Sequence, residues 1–215
     1  MHTTLRHSLA SAMLAASTFA LPATALLLAP VAAHAQASDK LHVRGSIVSA
    51  TAGNLKIKTR EGKTVDVGLP EGARIAGIGP AAITDIKPGD FVGIASLPKA
   101  EGGDGALEVL IFPPTMKGTG EGSYGWDLKP NSSMTNATVA NAVKGVDGHT
   151  VTVAYHGKEK KIAVADGTPV VTFAAADKTN LVAGAKVFIV ASKDAKGALV
   201  AQQVVVGTQG IVPPM

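Results

Sequence analysis

Asn54-Leu55-Lys56-Ile57-Lys58-Thr59-Arg60-Glu61-Gly62-Lys63-Thr64-Val65-Asp66-Val67-Gly68-Leu69 reads as a β-hairpin. Leu55 and Ile57 alternate with Lys56 and Lys58. Val65, Val67 and Leu69 then alternate with Asp66 and Gly68. A period of two gives each strand one apolar face. Glu61-Gly62-Lys63 between the runs supplies turn chemistry. Working outward, residues 43–50 make a strand that reaches the hairpin through Gly53-Asn54, and residues 91–97 and 106–112 make two more. A gap of about twenty residues precedes the last two strands. Within it, residues 81–86 followed by Lys87-Pro88-Gly89-Asp90 predict one helical turn and a stop.

The pattern recurs at an offset near 95. Gly62-Lys63 matches Gly157-Lys158, Glu71-Gly72 matches Asp166-Gly167, and Thr84-Asp85-Ile86 matches Thr179-Asn180-Leu181. Gly89 matches Gly184, and Val92-Gly93-Ile94 matches Val187-Phe188-Ile189. The second set of strands is expected at 139–144, 150–155, 160–165, 186–191 and 198–206, with Asp147-Gly148 and His156-Gly157-Lys158 as turns. Three meandering strands, a gap with a short helix and two further strands give the order of an OB-like small barrel, whose closure removes exposed edges. The fold expected is therefore all-β: two tandem five-stranded OB-like barrels, at 42–112 and 137–208. An ordered Gly-rich connector at 113–136 joins them, and a tail follows at 209–215.

These residues carry a family resemblance. Gly45, Ile47, Val48, Leu55, Ile57, Thr59, Gly62 and Lys63, with Asp85-Ile86-Lys87-Pro88-Gly89-Asp90-Phe91-Val92-Gly93, resemble exported bacterial domains of unknown function that are thought to be OB-like. Leu181, Gly184, Val187 and Ile189 keep a diluted version in the second half. The resemblance implies a fold rather than an activity. Members sometimes carry the label of a metal transport permease, an activity that needs several membrane spans. None is expected here after residue 35, where no stretch approaches 18 consecutive apolar residues.

Of 215 residues, 46% are hydrophobic, and much of that excess sits at the N-terminus. Arg6 precedes an uncharged run over 8–33 that ends in Ala33-His34-Ala35. A basic start, an apolar middle and a small-residue site predict a signal peptide over 1–35, cleaved after Ala35. No Cys follows the run, so no lipid-bearing cysteine is expected. The location expected is periplasmic, in the envelope of a Gram-negative-type cell. Removing Arg6 lowers the net charge of +4 by one. With aromatics at only 4%, nucleic acid is not an expected partner. The absence of Cys removes disulfides, thiolate metal sites and thiol catalysis.

The connector is the anomaly. It holds Trp126, the single Trp, together with Tyr124, Met116, Met134 and glycines at 118, 120, 122 and 125. A flexible linker would be Gly/Ser-rich without large aromatics. An ordered loop with aromatic anchors is expected instead. Trp126 is first expected to staple the two barrels, because aromatic side chains dominate such contacts. The second reading is a ligand-contacting loop, with Glu121, Tyr124, Trp126, Asp127 and Asn136 as contacts, since binding residues concentrate on ordered loops. Gly118-Thr119-Gly120-Glu121-Gly122 lacks the Gly-Lys-Ser/Thr ending and the following helix of a phosphate loop.

Other constellations are weaker. His42, His149 and His156 match no ligand spacing. Met116 and Met134 are the candidate soft-metal ligands, against a plainer reading as packing residues. No Gly-x-Ser-x-Gly elbow or Ser/His/Asp set is present. Glu101, Asp104 and Glu108 read as a solvated hairpin. Lys56, Lys58 and Arg60 with Lys158, Lys160 and Lys161 read as a solvated strand face before a polyanion site. The leading expectation is a non-enzymatic binding or interaction module for an unknown envelope ligand or protein, with no cofactor. A metal-associated periplasmic accessory protein is the alternative, and an enzyme acting on envelope carbohydrate or peptide comes third.

Overall fold

A computed structural model describes residues 40–145 and 148–213. The expected signal peptide and its cleavage point lie outside them. The expected hairpin forms as β2 (Asn54–Thr59) and β3 (Thr64–Gly68), and β1 (Leu41–Ala50) pairs antiparallel with β2. Chain order continues with β4 (Arg74–Pro80), β5 (Phe91–Pro98), β6 (Asp104–Ile111) and β7 (Gly122–Trp126). The remaining strands are β8 (Ser132–Gly145), β9 (Gly148–Tyr155), β10 (Lys158–Val164), β11 (Val170–Ala174), β12 (Lys186–Lys193) and β13 (Leu199–Gly207). Short 3-10 turns at Ile83–Asp85 and Lys178–Asn180 occupy corresponding places in the two halves, the first of them inside the expected helical turn. The protein is all-β. Among the described residues no helix is long and apolar enough to cross a membrane.

Strand pairing closes two five-stranded rings. In ring one β12 pairs with β1, β1 with β2, β2 with β3, β3 with β13, and β13 with β12. In ring two β5 pairs with β6, β6 with β10, β10 with β9, β9 with β8, and β8 with β5. The rings are not the two sequence repeats. Each takes three strands from one half and two from the other, so 42–112 and 137–208 do not fold back on themselves as separate barrels. The crossing is made by β4 and β11, which fill what the sequence presents as gaps. They pair antiparallel with each other, and β4 runs parallel to β13 as β11 runs parallel to β6.

The registers obey a pseudo-two-fold. Val67 faces Leu199, and 95 positions away from each, Ile162 faces Asp104. Ile78 faces Phe173, a pair that exchange of the halves maps onto itself, so the axis passes through it. Irregularities recur at matching places. The register shifts after Ile47 in β1 and after Val139 in β8, and at Ala95/Ser96 in β5 and Val190/Ala191 in β12. Conserving bulges across a duplication fits their role in bending strands around a closed ring.

Each ring encloses an apolar core built from both halves. Val43, Ile47, Leu55, Ile57 and Val67 pack with Val187, Ile189, Val204 and Val206 in ring one. Val92, Ile94 and Val109 pack with Val139, Val151, Val153 and Ile162 in ring two. A third cluster on the pseudo-axis, Ile78, Leu110, Val171, Phe188 and Val205, welds the rings together.

Candidate functional site

Part of the expected connector, 113–136, is strand. After a 3-10 turn at Pro114–Met116, β7 forms a hairpin with β8, so residues 132–136 are already strand. Pairing on both sides, with β7 and β5, extends β8 to that point. Asn131 makes the turn at φ 62, the left-handed region that Asn tolerates. Ser132, 4% exposed, holds the turn: its Oγ lies 2.8 Å from the carbonyl oxygens of Trp126 and Lys129 and accepts from Lys129 N at 3.1 Å.

From this hairpin Trp126 and Asp127 reach ring one. Asp127 accepts a hydrogen bond from Arg44 Nη2 at 2.7 Å and meets His42 Nδ1 at 3.0 Å. Partial burial pulls its carboxyl upward, and the hydrogen bonds and charges of Arg44 and His42 outweigh that, holding the pKa at about 2. The His42 ring lies 4.8 Å from Trp126 and 5.2 Å from Phe188. The Arg44 guanidinium stands 4.9 Å over Phe188 and 5.8 Å over Trp126, within cation–π range. Trp126 thus bridges the rings. Its Nε1 is buried with no acceptor among the described residues.

The sequence-predicted ligand contacts separate. Tyr124, Trp126, Met134 and Asn136 line a small cavity of about 70 Å³ with Gly93 and Phe112. Asn136 Nδ2 donates to Tyr124 Oη at 3.1 Å and to the Thr119 carbonyl at 3.3 Å. Burial raises the Tyr124 pKa. Glu121 accepts from His156 N at 3.1 Å, away from this group. Met116 lines neither cavity described here, and among the described residues no three His, Cys, Asp or Glu side chains converge as metal ligands.

A larger cavity of about 690 Å³ opens beside Arg44. Lys58 and Arg60 from the end of β2, Lys186 from β12 and Lys129 from the connector turn line it, with Glu108 from β6. Arg44 and Glu108 are buried, 8% and 7% exposed, and both have partners. Lys186 Nζ donates to Ser46 Oγ at 2.7 Å. Among the described residues no carboxylate lies in ion-pairing range of Lys58, Lys129 or Lys186. The basic strand face expected from sequence is therefore divided. Lys56 meets Asp66 at 3.9 Å, Lys160 of ring two meets Asp104 at 2.6 Å, and only Lys58 and Arg60 reach the cavity.

The pseudo-two-fold shows what the fold itself requires. Arg44 stands three residues before the β1 bulge, and Asn136 stands three before the β8 bulge. By the same pairings Lys58 corresponds to Ala154 and Lys186 to Phe91. Ring two closes in the same way without these cations, so closure does not need them. Sequence reasoning missed Arg44, Lys129 and Lys186 because their neighbours come from four distant strands. Comparing charge between aligned repeat positions was the available signal. Comparison with protein-family models, with curated proteins and with solved structures finds no match to this chain.

Proposed function

We propose that this chain is an exported, non-enzymatic binding module of the periplasm, built from two OB-like barrels that exchange strands, and that it takes an anionic ligand in the basic cavity beside Arg44. The cavity's volume lies within the range of small-molecule sites. The observation that carries the reading is the cluster of Lys58, Lys129 and Lys186, with no carboxylate in ion-pairing range among the described residues, around one cavity where the counterparts of Lys58 and Lys186 in ring two are Ala154 and Phe91. Among the described residues, four lysine and arginine side chains besides Arg44 line the cavity with Glu108 as its single acidic residue, and an arriving anion relieves the repulsion among them. Arg6, the apolar run and Ala33-His34-Ala35 support export, and the resemblance to exported OB-like domains supports the same address.

Calorimetric titration with inorganic phosphate at low ionic strength tests the reading. Each of Lys58→Ala and Lys186→Ala is expected to weaken binding about fivefold, the equivalent of about 1 kcal/mol for one solvent-screened charge near 4 Å. Lys158→Ala, on exposed β10, serves as control. Absence of binding, or equal loss in the control, overturns the site.

A further inference from the structure

We infer that the ligand is an amphiphilic anion: one compact anionic head joined to an apolar body of several carbons. The inference rests on the anion reading of the basic cavity and adds the chemistry of its apolar lining residues. The same cavity is also lined by Leu107 from β6, Leu128 from the connector turn, Pro169 before β11, and Val212 beyond β13. Val212 is 62% exposed, a large apolar side chain left in water at the cavity wall. The pseudo-two-fold again separates fold from function. Leu107 of β6 corresponds to Gln202 of β13 and Pro169 to Arg74, so the duplicates of these two apolar cavity residues are polar. The lining of the cavity therefore departs from its duplicates in two ways, toward positive charge at Lys58 and Lys186 and toward apolar surface at Leu107 and Pro169.

A small inorganic anion would satisfy the lysines and leave the apolar lining wet. A ligand with several anionic groups would bring charge toward buried Glu108. A single head among Lys58, Lys129 and Lys186, with an apolar body along Leu107, Leu128 and Val212, satisfies both. Lysine ammonium groups are flexible point charges that suit a phosphate or carboxylate head without demanding one fixed orientation.

Titrating the full chain with inorganic phosphate, ethyl, butyl and hexyl phosphate, and 1-hexanol separates the possibilities. The expected result is affinity rising about three- to fourfold per methylene along the alkyl phosphates, the gain for a buried CH₂. No measurable binding of 1-hexanol is expected. Val212→Asn, at an exposed position, should flatten that rise. Equal affinity for phosphate and hexyl phosphate overturns the amphiphile and leaves the anion site standing. Binding of 1-hexanol as tight as hexyl phosphate, or no binding of any phosphate, overturns the anion site as well. Co-sedimentation with phosphatidylglycerol vesicles that hexyl phosphate does not compete away assigns the cations to a membrane surface and overturns a free ligand.

Discussion

Cutting the chain between residues 112 and 113 gives two fragments, each holding one complete sequence repeat. Barrels closed within each repeat would leave two folded domains. Exchange of strands predicts that neither fragment folds as a monomer. Among the described residues the core cluster of ring one has thirteen buried residues, and seven of them, Leu181, Val187, Ile189, Ala191, Ala201, Val204 and Val206, belong to the second half. Without them Val43, Ile47, Leu55, Ile57, Val67 and Leu69 lose the far side of their core. At about 1.5–3 kcal/mol for each large apolar side chain returned to water, the loss is roughly 9–18 kcal/mol. That is comparable with the whole stability of an ordinary domain, about 5–15 kcal/mol. The fragment also exposes β1 and β3 as open edges, which favours aggregation. Circular dichroism and size-exclusion chromatography of 37–112 and 113–215, separately and mixed, provide the assay. Unfolded or self-associated fragments that recover native signal on mixing are expected. A homodimer of one fragment agrees with the topology, because the pseudo-two-fold lets a second copy supply the missing strands. A monomeric fragment with cooperative unfolding would refute strand exchange.

Two substitutions probe the connector. Asp127→Asn removes the carboxylate that receives Arg44 and His42. Its side chain is 54% exposed, so screening limits the expected loss to about 1 kcal/mol at pH 7. Because the folded carboxyl is held at about 2, below its ordinary 3.8, this stabilisation is complete above pH 4 and disappears as pH falls through 2. Urea unfolding followed by Trp126 fluorescence from pH 7 downward should show the two proteins converging, and a gap that persists at low pH would contradict the ion-pair account. Gly93→Ala places a methyl 2.8 Å from Asn136 Oδ1 and 3.1 Å from the Phe112 ring. It should cost about 1–2 kcal/mol by overpacking and shift the emission of Trp126, which lines the same small cavity. An unchanged denaturation midpoint would show that the site can relax.

The hairpin around Glu61-Gly62-Lys63 and most other strands are legible because a half-buried strand must alternate. Three strands are not. In β4, Arg74-Ile75-Ala76-Gly77-Ile78-Gly79-Pro80, small residues blur the period, since this segment is packed between β11 and β13 rather than facing water. β11 is short, and β7 carries Gly122 and Gly125 where alternation would need larger side chains. Of the predicted ligand contacts, Tyr124, Trp126 and Asn136 share one cavity because the β7–β8 hairpin places them there. The basic cavity was illegible because charge counted along one chain cannot show which lysines converge.

By itself, the sequence determined the all-β class, the duplication at an offset near 95, the turns, and an aromatic-bearing connector between the halves. Those features are local: alternation, glycine turns and the expense of exposing Trp126 all act within a few residues. Which half supplies which strand was a tertiary decision. The two repeats carry the same pattern, so β5 and β6 could have completed either ring as far as periodicity tells. The length and direction of β4 and β11 send them across the pseudo-axis. That crossing brings β1, β2, β6 and β12 around one cavity, and it makes Lys58, Lys129 and Lys186 neighbours.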